Sequence, residues 1–350
     1  MSFTPFQAPL LAPLVSDARA ASLFSVRADL DAMLAFEVAL ARAESGCGVI
    51  DRDAATAIER AADVFQPDVE RDGVAVPEFV RQLKLHVGGP HGRFVHHGST
   101  SQDVVDTSLI LRLRALIGLY RDDLERLAAG LDDLRRRFGA TMMPGRTRMQ
   151  LAVRISAADR VSAWLGPLER ALDRLADIEP RLLVLQFGGA AGNLHVLGDR
   201  GPKVAEALAR ELGLGLPEGQ WQSQRDRIGE FAAWISLTAG SLGKFGQDIA
   251  LMAQNEIAEV ALGSGGGSSA MPMKQNPVKA EVLVALARFE ATLLAGIHQS
   301  LVHEQERSGA AWTLEWMILP QMAMAAGAAA TTMTRRPASM SSSTTTPMTG

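Results

Sequence analysis

Residues 228–252 read IGEFAAWISLTAGSLGKFGQDIALM, and Ile228, Phe231, Ile235, Leu242, Phe245, Ile249 and Met252 fall at alternating three- and four-residue steps, with one missed beat at Thr238. That seam predicts a long helix packed nearly parallel to its neighbours. The same period recurs on either side. Leu30, Met33, Leu34 and Val38 predict a helix over 26–44, and Leu-, Ala- and Arg-rich patterns predict helices over about 106–138 and 147–177. Further helices are expected over about 277–305 and 311–333, while alternating strand patterns are scarce. The fold class that follows is all-α: a smaller helical N-terminal domain over 1–105, then a bundle of long helices over 106–333. The Ser- and Thr-dominated tail over 334–350 has no apolar period and cannot bury a core. It is expected to be disordered, with a shifted reading frame as the alternative.

Composition narrows the function classes. With 350 residues and 47% hydrophobic content the chain can bury a large core. Thirty-five Lys and Arg against thirty-nine Asp and Glu give a net charge of −4, which argues against a bulk nucleic-acid binder or a polybasic membrane-surface protein. The single Cys47 excludes a disulfide framework and a Cys-rich zinc site. No apolar run reaches the roughly 20 residues a membrane-spanning helix needs. The run over 8–15 is broken by Pro9 and Pro13 and lacks a preceding basic residue, unlike a secretory signal. The expected location is the cytoplasm.

Three polar segments interrupt the helices, and chemistry is sought there. The first, HHGSTSQD over 96–103, places hydroxyls ahead of a helix, where they serve either an anion or simply the helix cap. Adjacent His96 and His97 do not converge on one ion, and no third ligand has suitable spacing, so no metal is expected. The second, TMMPGRTRMQ over 141–150, is read as a break followed by a helix that starts with Arg146, Thr147 and Arg148. Cations there oppose the helix dipole and invite an anion, although solvated surface arginines are the better reading of this segment taken alone. The third, GSGGGSSAMPMKQNP over 263–277, reads as a mobile loop ahead of Lys274, with Asn276 as a helix cap and Pro277 as first helical residue; a plain flexible linker is the alternative. It meets neither the P-loop nor the dinucleotide pattern, because no Gly-Lys-Ser/Thr ends it and a helix precedes it.

Taken together, the three segments resemble the fumarase/aspartase superfamily, in the right order and over roughly residues 20–333. The resemblance implies a homotetramer whose active sites combine the three segments from different subunits, a small polycarboxylate substrate and no cofactor. It implies that Ser268 exchanges the proton alpha to a substrate carboxylate and that Lys274 and Asn276 hold the resulting aci-carboxylate. His96, Thr100, Ser101 and Thr147 would bind the substrate. Glu281 matches the carboxylate that orients the family's general-acid His.

One position departs from that pattern. Most members carry His directly after the Thr of the second segment, and this chain has Arg148. Arg cannot give up a proton near neutral pH, so expulsion of an amine or hydroxide loses its acid. A carboxylate, with an intrinsic pKa of about 4, needs none. Glu306 and Arg307, followed by Gly309, Trp312, Glu315 and Trp316, resemble the cycloisomerase branch, whose members close 3-carboxymuconate to a lactone in protocatechuate degradation. That branch implies Arg148 and Arg307 as further substrate-binding cations. A sulfonated muconate, an adenylosuccinate-type C–N cleavage and a non-enzymatic structural role like that of the superfamily's lens crystallin remain as alternatives. Many relatives continue into a third helical domain after the bundle, and the chain is expected to lack it.

Overall fold

The structure is a computed structural model that describes residues 4–63, 75–263, 266–267, 271 and 273–334. Ser268 and the tail from 335 onward therefore lie outside the described residues. Two short helices, α1 (Ala12–Val15) and α2 (Ala18–Ser22), lead into α3 (Val26–Gly46), α4 (Arg52–Ala62) and α5 (Val76–Val87). The long α6 (Ser101–Phe138) follows, then a hairpin of β1 (Met142–Thr147) and β2 (Gln150–Ser156). The rest is helical: α7 (Ala157–Leu182), α8 (Gly201–Leu212), α9 (Asp226–Met252), α10 (Val278–Gln299) and α11 (Gly309–Thr334). No helix among the described residues is long and apolar enough to cross a membrane.

Helix ends follow local chemistry. Ser25 accepts the Ala28 N–H at 3.2 Å and starts α3. Thr100 is the N-cap of α6, and its backbone N–H donates to Asp103 Oδ2 at 3.0 Å. Three arginines, Arg135, Arg136 and Arg137, occupy the last turn of α6, where the helix dipole favours cations. This helix starts five residues earlier than its apolar period predicts, because Gln102 and Asp103 are buried and hydrogen-bonded rather than solvated.

The hairpin corrects the expectation of a helix from Thr147. Arg148 and Met149 both take positive φ, 48° and 65°, between the paired Thr147 and Gln150, forming a two-residue turn that reverses the chain. The following helix begins only at Ala157, capped by Ser156, whose Oγ accepts the Asp159 N–H at 3.1 Å. The argument that arginines oppose a helix dipole at Arg146 and Arg148 therefore does not apply. Asn276 is corrected too. It is not a cap: its backbone exchanges two 2.9 Å hydrogen bonds with Gly266, and α10 starts at Val278.

In the bundle, α6, α7, α9, α10 and α11 run lengthwise past one another. Gly243 and Gly246 let α9 approach α10 so closely that a Cβ at either would collide with Ala287 or Leu283 and its neighbours. Tyr120 Oη donates to Ala323 O at 2.6 Å and ties α6 to α11. One end is held by a buried ionic cluster. Arg225, ahead of α9, pairs with Asp106 on α6 at 2.7 and 3.1 Å and with Glu315 on α11 at 2.5 and 3.0 Å. Trp312 Nε1 donates to Asp106 Oδ1 at 3.1 Å, and the Arg225 guanidinium lies over the Trp221 ring. Burial works against the charge of Arg225, but Asp106 and Glu315 more than offset it, so its pKa is raised. Removing one member of such a cluster strands buried charge. Arg225→Ala is expected to lower unfolding free energy by about 3–5 kcal/mol, read from urea midpoints at constant m-value; a loss below about 1 kcal/mol would contradict the role given to the cluster.

Candidate active site

The first polar segment is folded onto α3. His96 has φ 62°, and Gly98, at φ 68°, sits where a Cβ would strike the Leu197 side chain. Glu37, buried on α3, accepts the His96 backbone N–H at 3.0 Å on one oxygen and meets His96 Nδ1 at 2.7 Å with the other. A carboxylate accepts, so Nδ1 carries the proton in this pair and Nε2 is left for a ligand. One heptad on, Glu44 meets His97 Nδ1 at 2.7 Å. Burial, with the neighbouring Glu37, pushes the Glu44 carboxyl up to about 8, and burial together with Lys84 lowers the His97 pKa. Both shifts say that this pair resists separating into ions.

Sequence reasoning missed Glu37 and Glu44, although a signal existed. Met33, Glu37, Leu40 and Glu44 recur at core spacing, and a carboxylate on an apolar face needs a buried partner.

Asp103 fastens the opposite wall. Its carboxylate accepts from Thr100 N, Gly188 N, Gly189 N and Gln186 Nε2 at 2.9–3.1 Å. Burial nevertheless outweighs these donors and raises its pKa to about 6. The glycine-rich turn over 188–192 is thereby stapled beside Thr100 and the half-buried Ser101. Arg307 reaches the same place from the segment after α10. Its Nη2 donates to Thr100 Oγ1 at 3.1 Å and to Ala190 O at 3.3 Å, and its Nε to Gln102 Oε1 at 3.0 Å. All three acceptors are neutral, so the hydrogen bonds orient the guanidinium without cancelling its charge. The structure thus brings Thr100 and Arg307 into contact, with the His96 loop just before Thr100 in the chain and Ser101 directly after it.

The other expected residues lie elsewhere. Thr147 and Arg148 stand exposed at the hairpin tip. Arg146 forms an ion pair with Glu259, which ties the hairpin to the segment after α9. Lys274 is exposed, Asn276 closes the base of the third segment, and Glu281 is exposed in the first turn of α10. Between Thr100 and the hairpin runs the whole of α6, whose 38 residues span roughly 55 Å. Within one chain, then, the first segment with Arg307 occupies one end of the bundle and the second segment the other. Among the described residues no group of His, Cys, Asp and Glu could hold a metal ion.

A family model described as a lyase matches residues 16–289. The chain is 44% identical over 314 residues to the 3-carboxy-cis,cis-muconate cycloisomerase of Pseudomonas aeruginosa, covering 86% of this chain and 68% of that protein. It is 41% identical over 327 residues to the protein of the same name from Bradyrhizobium diazoefficiens, covering 90% and 72%. The crystal structure of the 3-carboxy-cis,cis-muconate lactonizing enzyme from Pseudomonas putida is similar with a TM-score of 0.86 at 38% identity, over 93% of this chain and 76% of that one.

The His97–Glu44 pair yields a pH prediction. Folded, the pair keeps one proton up to about pH 8. Unfolded, a Glu releases its proton near about 4.3 and a His near about 6.5. Above about pH 6.5 the folded state therefore binds more protons, and stability falls as pH rises toward 8. Glu44→Gln should flatten that decline, which is worth about 1–2 kcal/mol. Urea unfolding at pH 6.5 and 8.5 checks it, and an equal decline in both proteins would contradict the assignment.

Proposed function

The chain belongs to the lyase family, and we propose that it closes 3-carboxy-cis,cis-muconate to 4-carboxymuconolactone, a step of protocatechuate degradation, without a cofactor. The observation that carries the reading is Arg307 on Thr100: a cation oriented by neutral acceptors, with its charge left for an anion.

In this reaction one substrate carboxylate oxygen adds to an alkene carbon. The C–O bond forms, the π electrons move to the adjacent carbon, and the neighbouring carboxylate holds them as an aci-carboxylate. A proton then joins that carbon, so a trianion plus one proton becomes a dianionic lactone. The attacking oxygen belongs to a group that is already a stable anion, and no acid need protonate it in either direction. Arg148 at the family's His position is compatible with this chemistry and with few others in the superfamily.

In the reading proposed, Ser268 delivers the proton to carbon, and Lys274 with Asn276 holds the aci-carboxylate. Fixed N–H donors and a cation at the developing charge do most of the stabilising. His96, Thr100, Ser101 and Arg307 hold carboxylates at one wall, and Thr147 with Arg148 holds them at the other. Glu281 neutralises or orients Arg148. The separation along α6 supports a homotetramer in which these walls come from different subunits, working in the cytoplasm as a soluble enzyme.

A spectrophotometric assay of lactone formation tests the activity. Ser268→Ala is expected to lower kcat by about a thousandfold with folding intact, and near-normal turnover would remove Ser268 from its role. Shared sites make a separate prediction. Arg307→Ala and Lys274→Ala proteins, each far less active than wild type, should together exceed the activity of either alone when unfolded and refolded as a mixture, because some assembled sites receive both intact segments. Absence of any recovery in mixed assemblies would contradict sites built from several chains.

A further inference from the structure

Gln102 stands between the exposed cation Arg307 and the buried ionic cluster, and its own hydrogen bonds fix which way its amide points. The side chain is fully buried. Its Nε2 donates to Asp106 Oδ2 at 3.1 Å and to Gln222 O at 2.8 Å. Both are acceptors only, so they use both N–H bonds and demand the nitrogen on that side. The oxygen is thereby forced toward Arg307, where it accepts from Nε at 3.0 Å.

The arrangement separates position from charge. A carboxylate at 102 would also hold Arg307, but it would cancel the positive charge. The nearest carboxylate behind Gln102 is Asp106, and it is already paired with Arg225. Gln102 therefore transmits the rigidity of the cluster to Arg307 without transmitting its negative charge. Resting on the reading of Arg307 as a substrate-binding group, we propose that Gln102 is the positioning residue that keeps the Arg307 guanidinium fixed yet uncompensated, and so sets the site's demand for an anionic group at that point of the substrate.

The charged and titratable groups around Gln102 are Asp103 and Asp106 on its own helix, Arg225 ahead of α9, Glu315 on α11 and His303 in the segment after α10. All are retained in the variants, so wild type supplies the background pH dependence.

Steady-state kinetics of the full chain with 3-carboxy-cis,cis-muconate, from pH 6 to 8.5, test the proposal on wild type, Gln102→Glu, Gln102→Met and Arg307→Ala. Gln102→Glu should raise KM about 30-fold at pH 8 and lower kcat by less than about threefold. That KM penalty should shrink as pH falls, because protonating the introduced carboxyl frees Arg307 again. Gln102→Met keeps volume but removes the acceptor, and should raise KM about tenfold at every pH. If Gln102→Glu does not fold, Gln102→Met decides by its KM-against-kcat split. Losses confined to kcat, or a Gln102→Glu penalty independent of pH, overturn the proposal. If Arg307→Ala raises KM while both Gln102 variants keep the wild-type value, the positioning role alone fails. If Arg307→Ala leaves KM unchanged, the reading of Arg307 fails, and this proposal with it.

Discussion

An α-helix rises about 1.5 Å per residue, so the 38 residues of α6 hold Thr100 and the β1–β2 hairpin roughly 55 Å apart whatever the rest of the chain does. Helices α3, α7 and α11 are laid against that rod, α9 packs on α7 and α11, α10 packs on α9 and α11, and the ends of the long helices fall into two groups. At one end sit the His96 loop, Thr100, the turn over 188–192, Arg225 and Arg307. At the other sit the hairpin, the segment after α9 that carries Glu259, and the bridge between Gly266 and Asn276. A bundle of this kind places polar segments where helices stop, and it cannot fold one end onto the other. Chemistry that needs both ends must therefore take them from more than one chain.

The first end is stiff because its polar groups are buried and satisfied. Asp103 accepts from four donors, and Arg225 faces two carboxylates, so three helices and a glycine-rich turn are locked together by charge rather than by apolar packing alone. Such clusters add little net stability compared with a well-packed apolar core, but they fix geometry, because few other arrangements satisfy every member. Geometry is what a substrate of several carboxylates requires. Glu37 and Glu44 play the matching part on the α3 side, each holding one imidazole by Nδ1.

Helical architecture was largely legible in the amino-acid sequence. The Ile228 to Met252 seam is α9, and the Leu30 to Val38 pattern is α3, because long apolar periods leave few alternatives. The hairpin was not legible, for physical reasons. Leu151, Val153 and Ile155 alternate, but over too few residues to stand out among Leu, Ala and Arg, and the turn uses Arg148 and Met149 at positive φ instead of Asn-Gly. The short, Ala-rich α4 and α8 gave no long period either. Of the residues the structure brings together, Thr100 and Arg307 were visible through their resemblance to the superfamily. Gln102, Asp106 and Glu37 were not marked, since a buried polar residue is recognised by its partner, and the partners lie tens to hundreds of positions away.

A cyclisation that starts from a carboxylate needs cations and an ordered proton donor more than it needs a general acid, and the chain supplies cations at both ends of the bundle. In the reading proposed, what joins those ends is assembly. Specific activity in lactone formation, followed by serial dilution alongside molar mass from light scattering, measures that dependence. The account predicts that activity per chain is lost in step with dissociation to single chains, and full activity in a monodisperse monomer would contradict it.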